Sequence, residues 1–294
     1  MRRGEGVTVE MIAGMHELAA EYDGFILDLW GVVHDGVAPF PGVLDCMERL
    51  IGGGKRVVLL SNAPRRSDDV GRRIAAIGVP ARLYHGIMSS GEEAWQYLHR
   101  SDDPFYAALG RSCLHICSDR DLEIREGLGL AIVDTVEAAD FILNTGPAGW
   151  DDTIADYDPV LRAAAARRLP MVCANPDLVV MHAGRPALCA GALAQHYEAI
   201  GGTVRWHGKP HPSVYESCLS LLSIADKTRL LAIGDSLRTD IAGAKAAGIA
   251  SLFVTGGVHA GEFGEGGALD PGRVAAALDT AGLNPVGVTQ RFVW

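Results

Sequence analysis

Four residues of this chain combine into one kind of chemistry. Asp28 closes the apolar run Phe25-Ile26-Leu27, and Ser61 ends the run Arg56-Val57-Val58-Leu59-Leu60. Lys209 stands between Gly208 and Pro210, and Asp235 follows Leu230-Leu231-Ala232-Ile233-Gly234. Phosphoryl transfer requires an in-line nucleophile, a cation across the phosphoryl oxygens, and donors for the charge that remains. A carboxylate can be that nucleophile, forming an aspartyl-phosphate while its second oxygen ligates a metal. Asp28 suits this role. Asp235 adds a second hard oxygen, and Mg²⁺ needs no more than one or two carboxylates because it keeps several waters. Ser61 offers a hydroxyl and a backbone N–H to a phosphate oxygen, and Lys209 offers a fixed positive charge.

Taken singly, each residue has a plainer role. An aspartate after a strand is commonly a turn or cap residue, Ser61-Asn62 alone reads as a turn, and Gly208-Lys209-Pro210 alone reads as an exposed loop. Asp235 or Ser236 can cap a helix that starts near Arg238. Placement makes the set specific. The apolar runs are continuous, as expected of strands buried on both faces of a parallel sheet. The segment from Pro41-Gly42 to Gly52-Gly53-Gly54 reads as a helix between the first two. The resulting βαβ unit puts Asp28 and Ser61 at one sheet edge. The alternation resumes near the other end, with strands at 230–233 and 250–254 and a helix over 241–247 between them. Ligands of open parallel sheets bind outside the carboxyl ends of the strands, so Asp28, Ser61 and Asp235 are predicted to share a crevice.

A second alternating series lies between these halves. It contains Leu114-His115-Ile116-Cys117, Phe141-Ile142-Leu143, a helix over 161–168, Met171-Val172-Cys173 and a helix over 191–200. We read it as an inserted α/β domain of residues 88–206, leaving 1–87 and 207–294 as the core. At 294 residues the chain is long enough for such an insertion. The predicted fold class is therefore α/β, a doubly wound parallel-sheet core carrying an inserted α/β domain.

With 48% hydrophobic and 21% charged residues, the composition suits a packed protein rather than a disordered one. A net charge of −10 disfavours nucleic acid as a partner, since binding a phosphate backbone needs a basic patch. Cysteines 46, 113, 117, 173, 189 and 218 show no C-x-x-C pairing and read as buried thiols. After Met1-Arg2-Arg3, the residues Glu5, Glu10, His16 and Glu17 interrupt what would have to be an apolar signal core. No apolar run approaches the length of a membrane helix, so no membrane association and a cytoplasmic location are expected. Residues 261–267 form a glycine-rich loop. No G-x-G-x-x-G follows a strand, which argues against a nicotinamide-dependent oxidoreductase.

The order Asp28, Ser61, Lys209, Gly234-Asp235-Ser236-Leu237-Arg238-Thr239-Asp240 resembles the haloacid-dehalogenase (HAD) superfamily over nearly the whole chain. It is most similar to the class IIA, NagD-like phosphatase branch, whose α/β cap enters between the second and third motifs. Pro41-Gly42, Ser89-Ser90-Gly91, Asn175-Pro176-Asp177 and Gly191-Ala192-Leu193 add to the match. The resemblance implies that Asp28 is the nucleophile and that Ser61 and Lys209 bind phosphate, with Asn62 beside them as a substrate-binding residue. It implies that Mg²⁺ is held by Asp28, Asp235 and the main-chain carbonyl of Trp30, with Asp240 behind them or holding Lys209. The implied substrate is a small phosphorylated metabolite selected by cap residues Asn175, Asp177, His182 and Arg185. Arg185 would clamp a second anion and His182 would hydrogen-bond a leaving-group oxygen. Dimerisation through the cap is implied as well.

One position breaks the family pattern. The first motif of the family is Asp-x-Asp, and its second aspartate protonates the leaving group and then activates water; here that residue is Trp30. An indole N–H has no accessible pKa, and loss of a general acid–base group typically costs about 10²- to 10⁴-fold in rate. Three readings compete. The chain binds a phosphorylated ligand without turning it over; or it acts on aryl or acyl phosphates, whose leaving groups depart unprotonated; or His34 or Asp35 replaces the acid. His34 is the better replacement on pKa. Against that, His34-Asp35-Gly36 is itself a turn sequence. Metal-free dehalogenation also uses an aspartate nucleophile, but Asp235 and the inserted domain weigh against it. His85, His99 and His115 lack a second histidine at metal-ligand spacing and read as structural, and Trp95, Trp150 and Trp206 read as packing residues.

Overall fold

The structure, a computed structural model, describes residues 10–100, 102–257, 260–265 and 268–294. Met1-Arg2-Arg3, Glu5 and the last two residues of the 261–267 loop lie outside that set. The chain opens with β1 (Gly24–Asp28), β2 (Arg56–Ser61) and β3 (Gly86–Ser89). It continues through β4 (Ser112–Ile116), β5 (Ala131–Val133), β6 (Phe141–Asn144) and β7 (Pro170–Cys173). A hairpin of β8 (Val179–His182) and β9 (Arg185–Leu188) and then β10 (Thr203–Trp206) follow. The last strands are β11 (Leu230–Gly234), β12 (Ala250–Val254), the short pair β13 (Gly264–Glu265) and β14 (Ala268–Leu269), and β15 (Gly287–Thr289). Two compact units result. One holds residues 1–61, 71–88 and 210–294, the other residues 62–70 and 89–209.

The first unit is built on a sheet of order β15-β12-β11-β1-β2-β3. The pairs of β1 with β2, β1 with β11, β11 with β12 and β12 with β15 are all parallel. Its strands are apolar throughout because both faces are covered. Ile26, Val58, Leu60 and Ala232 pack with Val214, Tyr215, Cys218 and Leu222 of the helix Pro212–Leu222. The alternate residues Phe25, Leu27 and Leu59 are equally buried. The helix Val43–Gly52, packed on β2, turns Val43, Cys46, Met47 and Leu50 into the core.

The second unit repeats the plan with a parallel sheet of order β10-β7-β6-β4-β5. Period-two alternation sends Ile142 and Met171 to a layer formed with Leu161, Leu193 and Tyr197 of the helices Ile154–Ala166 and Ala190–Ala199. It sends Phe141, Leu143 and Val172 to a layer formed with Ala94 of the helix Ser90–His99 and with Tyr106.

The observed units differ from the 88–206 insertion read in the sequence. The second unit reaches to Lys209 and takes in residues 62–70. Contacts distant in sequence cause this. Arg65 Nη2 lies 3.0 Å from Asp121, Arg66 Nε lies 2.7 Å from Glu92, and the Arg66 guanidinium stacks 3.7 Å from the Trp95 ring centre. Among the described residues, no helix is long and apolar enough to cross a membrane.

Candidate active site

Strand register places the first unit's candidate residues. Asp28 is level with Leu60 and Leu27 is level with Ile233, so Asp28, Ser61 and Asp235 emerge at the carboxyl ends of three adjacent strands. Asp28, Asp235 and Asp240 are buried, at 8%, 5% and 5% exposure, and carboxylate oxygens of the three lie within 4.8 Å of one another. Three acidic groups this close and this dry repel strongly when ionised, and a divalent cation among them removes that cost.

The surrounding backbone is shaped around these carboxylates. Gly31 has φ +94°, and a Cβ there would sit 2.0 Å from Asp235 Oδ2. A Cβ on Gly257 would sit 2.1 Å from the same oxygen. Asp235 therefore lies in a cradle of two glycines. The N–H of Gly31 donates to the His34 carbonyl at 3.0 Å. In a trans peptide the Trp30 carbonyl points the opposite way, away from that turn. Asp240 follows from the turn after β11. Ser236 Oγ accepts from the Thr239 N–H at 3.3 Å, while the Ser236 N–H donates to Asp240 Oδ2 at 3.1 Å. This reciprocal capping fixes the loop that carries Asp235. A buried carboxylate trio, held by two glycines and a capped turn and built from hard oxygen donors, fits Mg²⁺.

The loop after β1 settles how His34-Asp35-Gly36 is used. Asp35 Oδ1 accepts from the N–H groups of Val37 and Ala38 at 2.8 and 2.9 Å, and these bonds hold its carboxyl below the usual carboxylate range. His34 is buried. Its Nδ1 accepts from the Gly36 N–H at 2.9 Å, and burial pushes its pKa down, which leaves a neutral ring with its proton on Nε2. The Trp30 and His34 rings meet edge to face with centres 5.8 Å apart. Trp30 is 41% exposed, and a Cβ at Gly36 would come within 2.6 Å of its ring. Both His34 and Asp35 thus serve the turn that seats Trp30.

In the second unit Lys209 is buried at 3% exposure. Its N–H donates to Asn62 Oδ1 at 2.8 Å and its carbonyl accepts from Asn62 Nδ2 at 3.1 Å. Asn62 Nδ2 also donates to Asp177 Oδ1 at 2.9 Å, and Ser90 Oγ donates to Asn62 Oδ1 at 3.2 Å. The carboxamide has two donors and room for two acceptances, and all four are used. These bonds give the Asn62 side chain a part in shaping the Lys209 main chain. Asn175 is buried, its Oδ1 accepting from the Asp177 N–H at 3.0 Å, so this pair forms an Asx turn.

His182 and Arg185 face each other across the β8–β9 hairpin, whose turn has φ +49° at Ala183 and φ +76° at Gly184. His182 stacks on Trp150 with ring centres 3.8 Å apart and an interplanar angle of 8°. Arg120 lies 3.8 Å from the Trp150 ring centre. Trp150 is therefore a half-exposed stacking platform, which its reading as a packing residue did not convey. Arg185 is exposed, and its 3.9 Å approach to Asp151 is a solvated surface pair.

Residues 25–131 match the family described as haloacid dehalogenase-like hydrolase, and residues 206–281 match the HAD-hydrolase-like family. The crystal structure of a haloacid dehalogenase-like hydrolase from Brucella suis 1330 superposes with a TM-score of 0.82 at 31% identity, covering 96% of this chain and 100% of that one. This chain belongs to the haloacid dehalogenase-like hydrolase family. D-glycerol 3-phosphate phosphatase of Mycobacterium tuberculosis is 27% identical over 260 residues, which are 83% of this chain and 66% of that protein. Ribonucleotide monophosphatase NagD of Escherichia coli K12 is 27% identical over 244 residues, 79% of this chain and 87% of NagD. The chain thus sits in the class IIA, NagD-like phosphatase branch of the family.

Residues that the sequence reading passed over complete the two units. Gly31 and Gly257 form the Asp235 cradle; each was visible as a glycine beside a strand end, but only the fold aims both at one oxygen. Glu93 had no such signal. It is a fully buried glutamate on a helix whose sequence reads as half-solvated.

Proposed function

We propose that this HAD-family protein is a Mg²⁺-dependent phosphatase for small phosphorylated metabolites, working through an aspartyl-phosphate on Asp28 and restricted to good leaving groups. The observation that carries the reading is the buried trio Asp28, Asp235 and Asp240 at the strand ends, with the exposed Trp30 two residues after Asp28.

An Asp28 carboxylate oxygen attacks phosphorus, the bond from phosphorus to the leaving oxygen breaks, and that oxygen leaves with the electron pair. Water then attacks the phosphorus of the acyl phosphate, its proton passes to solvent, inorganic phosphate departs and the Asp28 carboxylate is restored. Ser61 donates to a phosphoryl oxygen, and Lys209 supplies positive charge to the phosphoryl group in both steps. Asp28, Asp235 and the Trp30 carbonyl would hold Mg²⁺, which when bound neutralises charge on the phosphoryl oxygens. Asp240 fixes the Asp235 loop. In the second unit, Asp177, His182 and Arg185 are proposed to contact the remainder of the substrate, with Asn175 shaping their loop. A homodimer through that unit is part of the proposal.

Trp30 sets the substrate class. Its indole cannot protonate a leaving oxygen, Asp35 is held ionised by its own turn, and His34 is committed beneath the indole. A leaving group with a low pKa needs no proton, so aryl and acyl phosphates are favoured over alkyl ones. The test is phosphate release from alkyl, aryl and acyl phosphates, with and without Mg²⁺, by the wild type and by Asp28→Asn. Aryl and acyl turnover that needs both Mg²⁺ and Asp28 supports the reading. Equal rates on sugar phosphates and nitrophenyl phosphate overturn the leaving-group restriction. Binding of inorganic phosphate without any turnover would instead favour a non-catalytic phospholigand-binding protein, the reading Trp30 also allows.

A further inference from the structure

Within the second unit, the peptides on either side of Gly208 are held by the side chains of Asn62 and Glu93. Asn62 grips Lys209 at its N–H and its carbonyl together, at 2.8 and 3.1 Å. Glu93, with 0% exposure, accepts from the Gly208 N–H through Oε2 at 2.8 Å. Gly208 has φ +92°, and a Cβ there would fall 1.9 Å from Ser90 Oγ and 2.7 Å from Asn62 Oδ1. The same Glu93 oxygen lies 3.3 Å from Nδ1 of His207, a residue at 2% exposure whose Nε2 is hydrogen-bonded to the Tyr106 hydroxyl.

A glutamate buried this completely is costly unless its contacts repay desolvation. Of its two oxygens, Oε2 is hydrogen-bonded to the Gly208 N–H, one residue before the lysine, with the His207 ring beside it, and Oε1 has no hydrogen-bond partner among the described residues. The Asn62 carboxamide meets that lysine from the other side and is itself held by Ser90 and Asp177. A lysine side chain has four rotatable bonds, so its ammonium is placed well only when its main chain is fixed.

We infer that Asn62 and Glu93 are positioning residues for Lys209, setting the main chain from which its ammonium meets the phosphoryl group. The inference rests on the proposed role of Lys209 in phosphate binding. Misplacement of a charge-stabilising group by about 1 Å costs on the order of 10²-fold in rate. Asn62→Ala and Glu93→Ala should therefore each lower kcat/KM for nitrophenyl phosphate by roughly 10- to 10²-fold. Inhibition by inorganic phosphate should weaken in parallel. Glu93→Gln keeps an acceptor for the Gly208 N–H and should recover most of the Glu93→Ala loss.

The deciding experiment is a double-mutant cycle in the full chain with Mg²⁺, using kcat/KM, the inorganic phosphate inhibition constant and the thermal midpoint. If Asn62 and Glu93 act through Lys209, then Asn62→Ala and Glu93→Ala cost little further once Lys209→Ala is present. A merely structural role would multiply the losses in the double variants, and that result overturns the inference while leaving Lys209 in place. So would full phosphate inhibition in a folded Asn62→Ala. If Asn62→Ala does not fold, the contrast between Glu93→Ala and Glu93→Gln decides, equal losses counting against the inference. Full activity in Lys209→Ala would overturn the phosphate role of Lys209, and the positioning inference with it.

Discussion

Gly31→Ala and Gly257→Ala test the cradle around Asp235 with two substitutions aimed at one oxygen. A methyl group at either position would lie 2.0 or 2.1 Å from Asp235 Oδ2, where ordinary contact begins at 3.4 Å. The carboxylate or the glycine loop must therefore retreat by more than an ångström. A shift of about 1 Å in a group that organises the reacting atoms costs on the order of 10²-fold in rate. The two variants differ in backbone cost. Gly31 has φ +94°, where an alanine adds about 1–2 kcal/mol of local strain. Gly257 lies outside the left-handed region and adds none of that strain. Phosphate release should be measured against Mg²⁺ concentration, with thermal midpoints taken alongside. We expect both variants to need more Mg²⁺ for half-maximal rate and to lose about 10²-fold at saturation, with the larger drop in midpoint for Gly31→Ala. Gly52→Ala is the control, since its Cβ would meet nothing within 4 Å. Wild-type Mg²⁺ dependence and rate in both cradle variants would refute the assignment of Asp235.

Trp30→Asp should raise turnover of alkyl phosphates while changing aryl phosphates less; an unchanged ratio of the two in a folded variant would show that the leaving group is protonated by another residue. Mg²⁺ should stabilise the wild type by about 2.7 kcal/mol at a hundredfold excess over its dissociation constant and so raise its thermal midpoint, and Asp235→Asn should blunt the rise. An equal rise in both would place the cation elsewhere. His115 gives a pH test of the second unit. Burial, with a contribution from Arg125, pushes its pKa down to about 3, and Nδ1 is enclosed without a hydrogen-bond partner among the described residues. Between about pH 6.5 and 3 the unfolded chain then binds a proton that the folded one does not, so stability falls as pH falls, by at most about 1.4 kcal/mol per pH unit. The stability advantage of the wild type over His115→Gln should shrink between pH 7 and pH 4 in denaturant titrations. Parallel curves would show that His115 is protonated in the folded state.

The parts of this protein that could be read from sequence are those whose signal is local. Parallel strands buried on both faces must be apolar without interruption, so 25–27, 56–60, 141–143, 230–233 and 250–254 were visible as strands, and the three strand-end residues with them. The helix predicted over 161–168 begins too late: the observed helix is Ile154–Ala166 and contains Pro159. The Thr153–Asp156 capping box starts that helix ahead of Pro159. The β8–β9 hairpin escaped notice because its strands are four residues each and its turn uses Ala183 at φ +49°, a conformation alanine rarely announces.

Tertiary partners leave no such trace. Nothing near Arg65 or Arg66 indicates Asp121 or Glu92, and a helical glutamate such as Glu93 is by default solvated. The consequence reaches the chemistry. Residue types named Asp28, Ser61, Asp235 and Lys209 as the groups able to handle a phosphoryl ester. The four hydrogen bonds of the Asn62 carboxamide, by contrast, are visible only in the fold. A reactive group is recognisable by what it is, whereas a positioning group is recognisable only by what it holds. The variants that separate Asn62 and Glu93 from Lys209 therefore test the one layer of this site that only the fold could reveal.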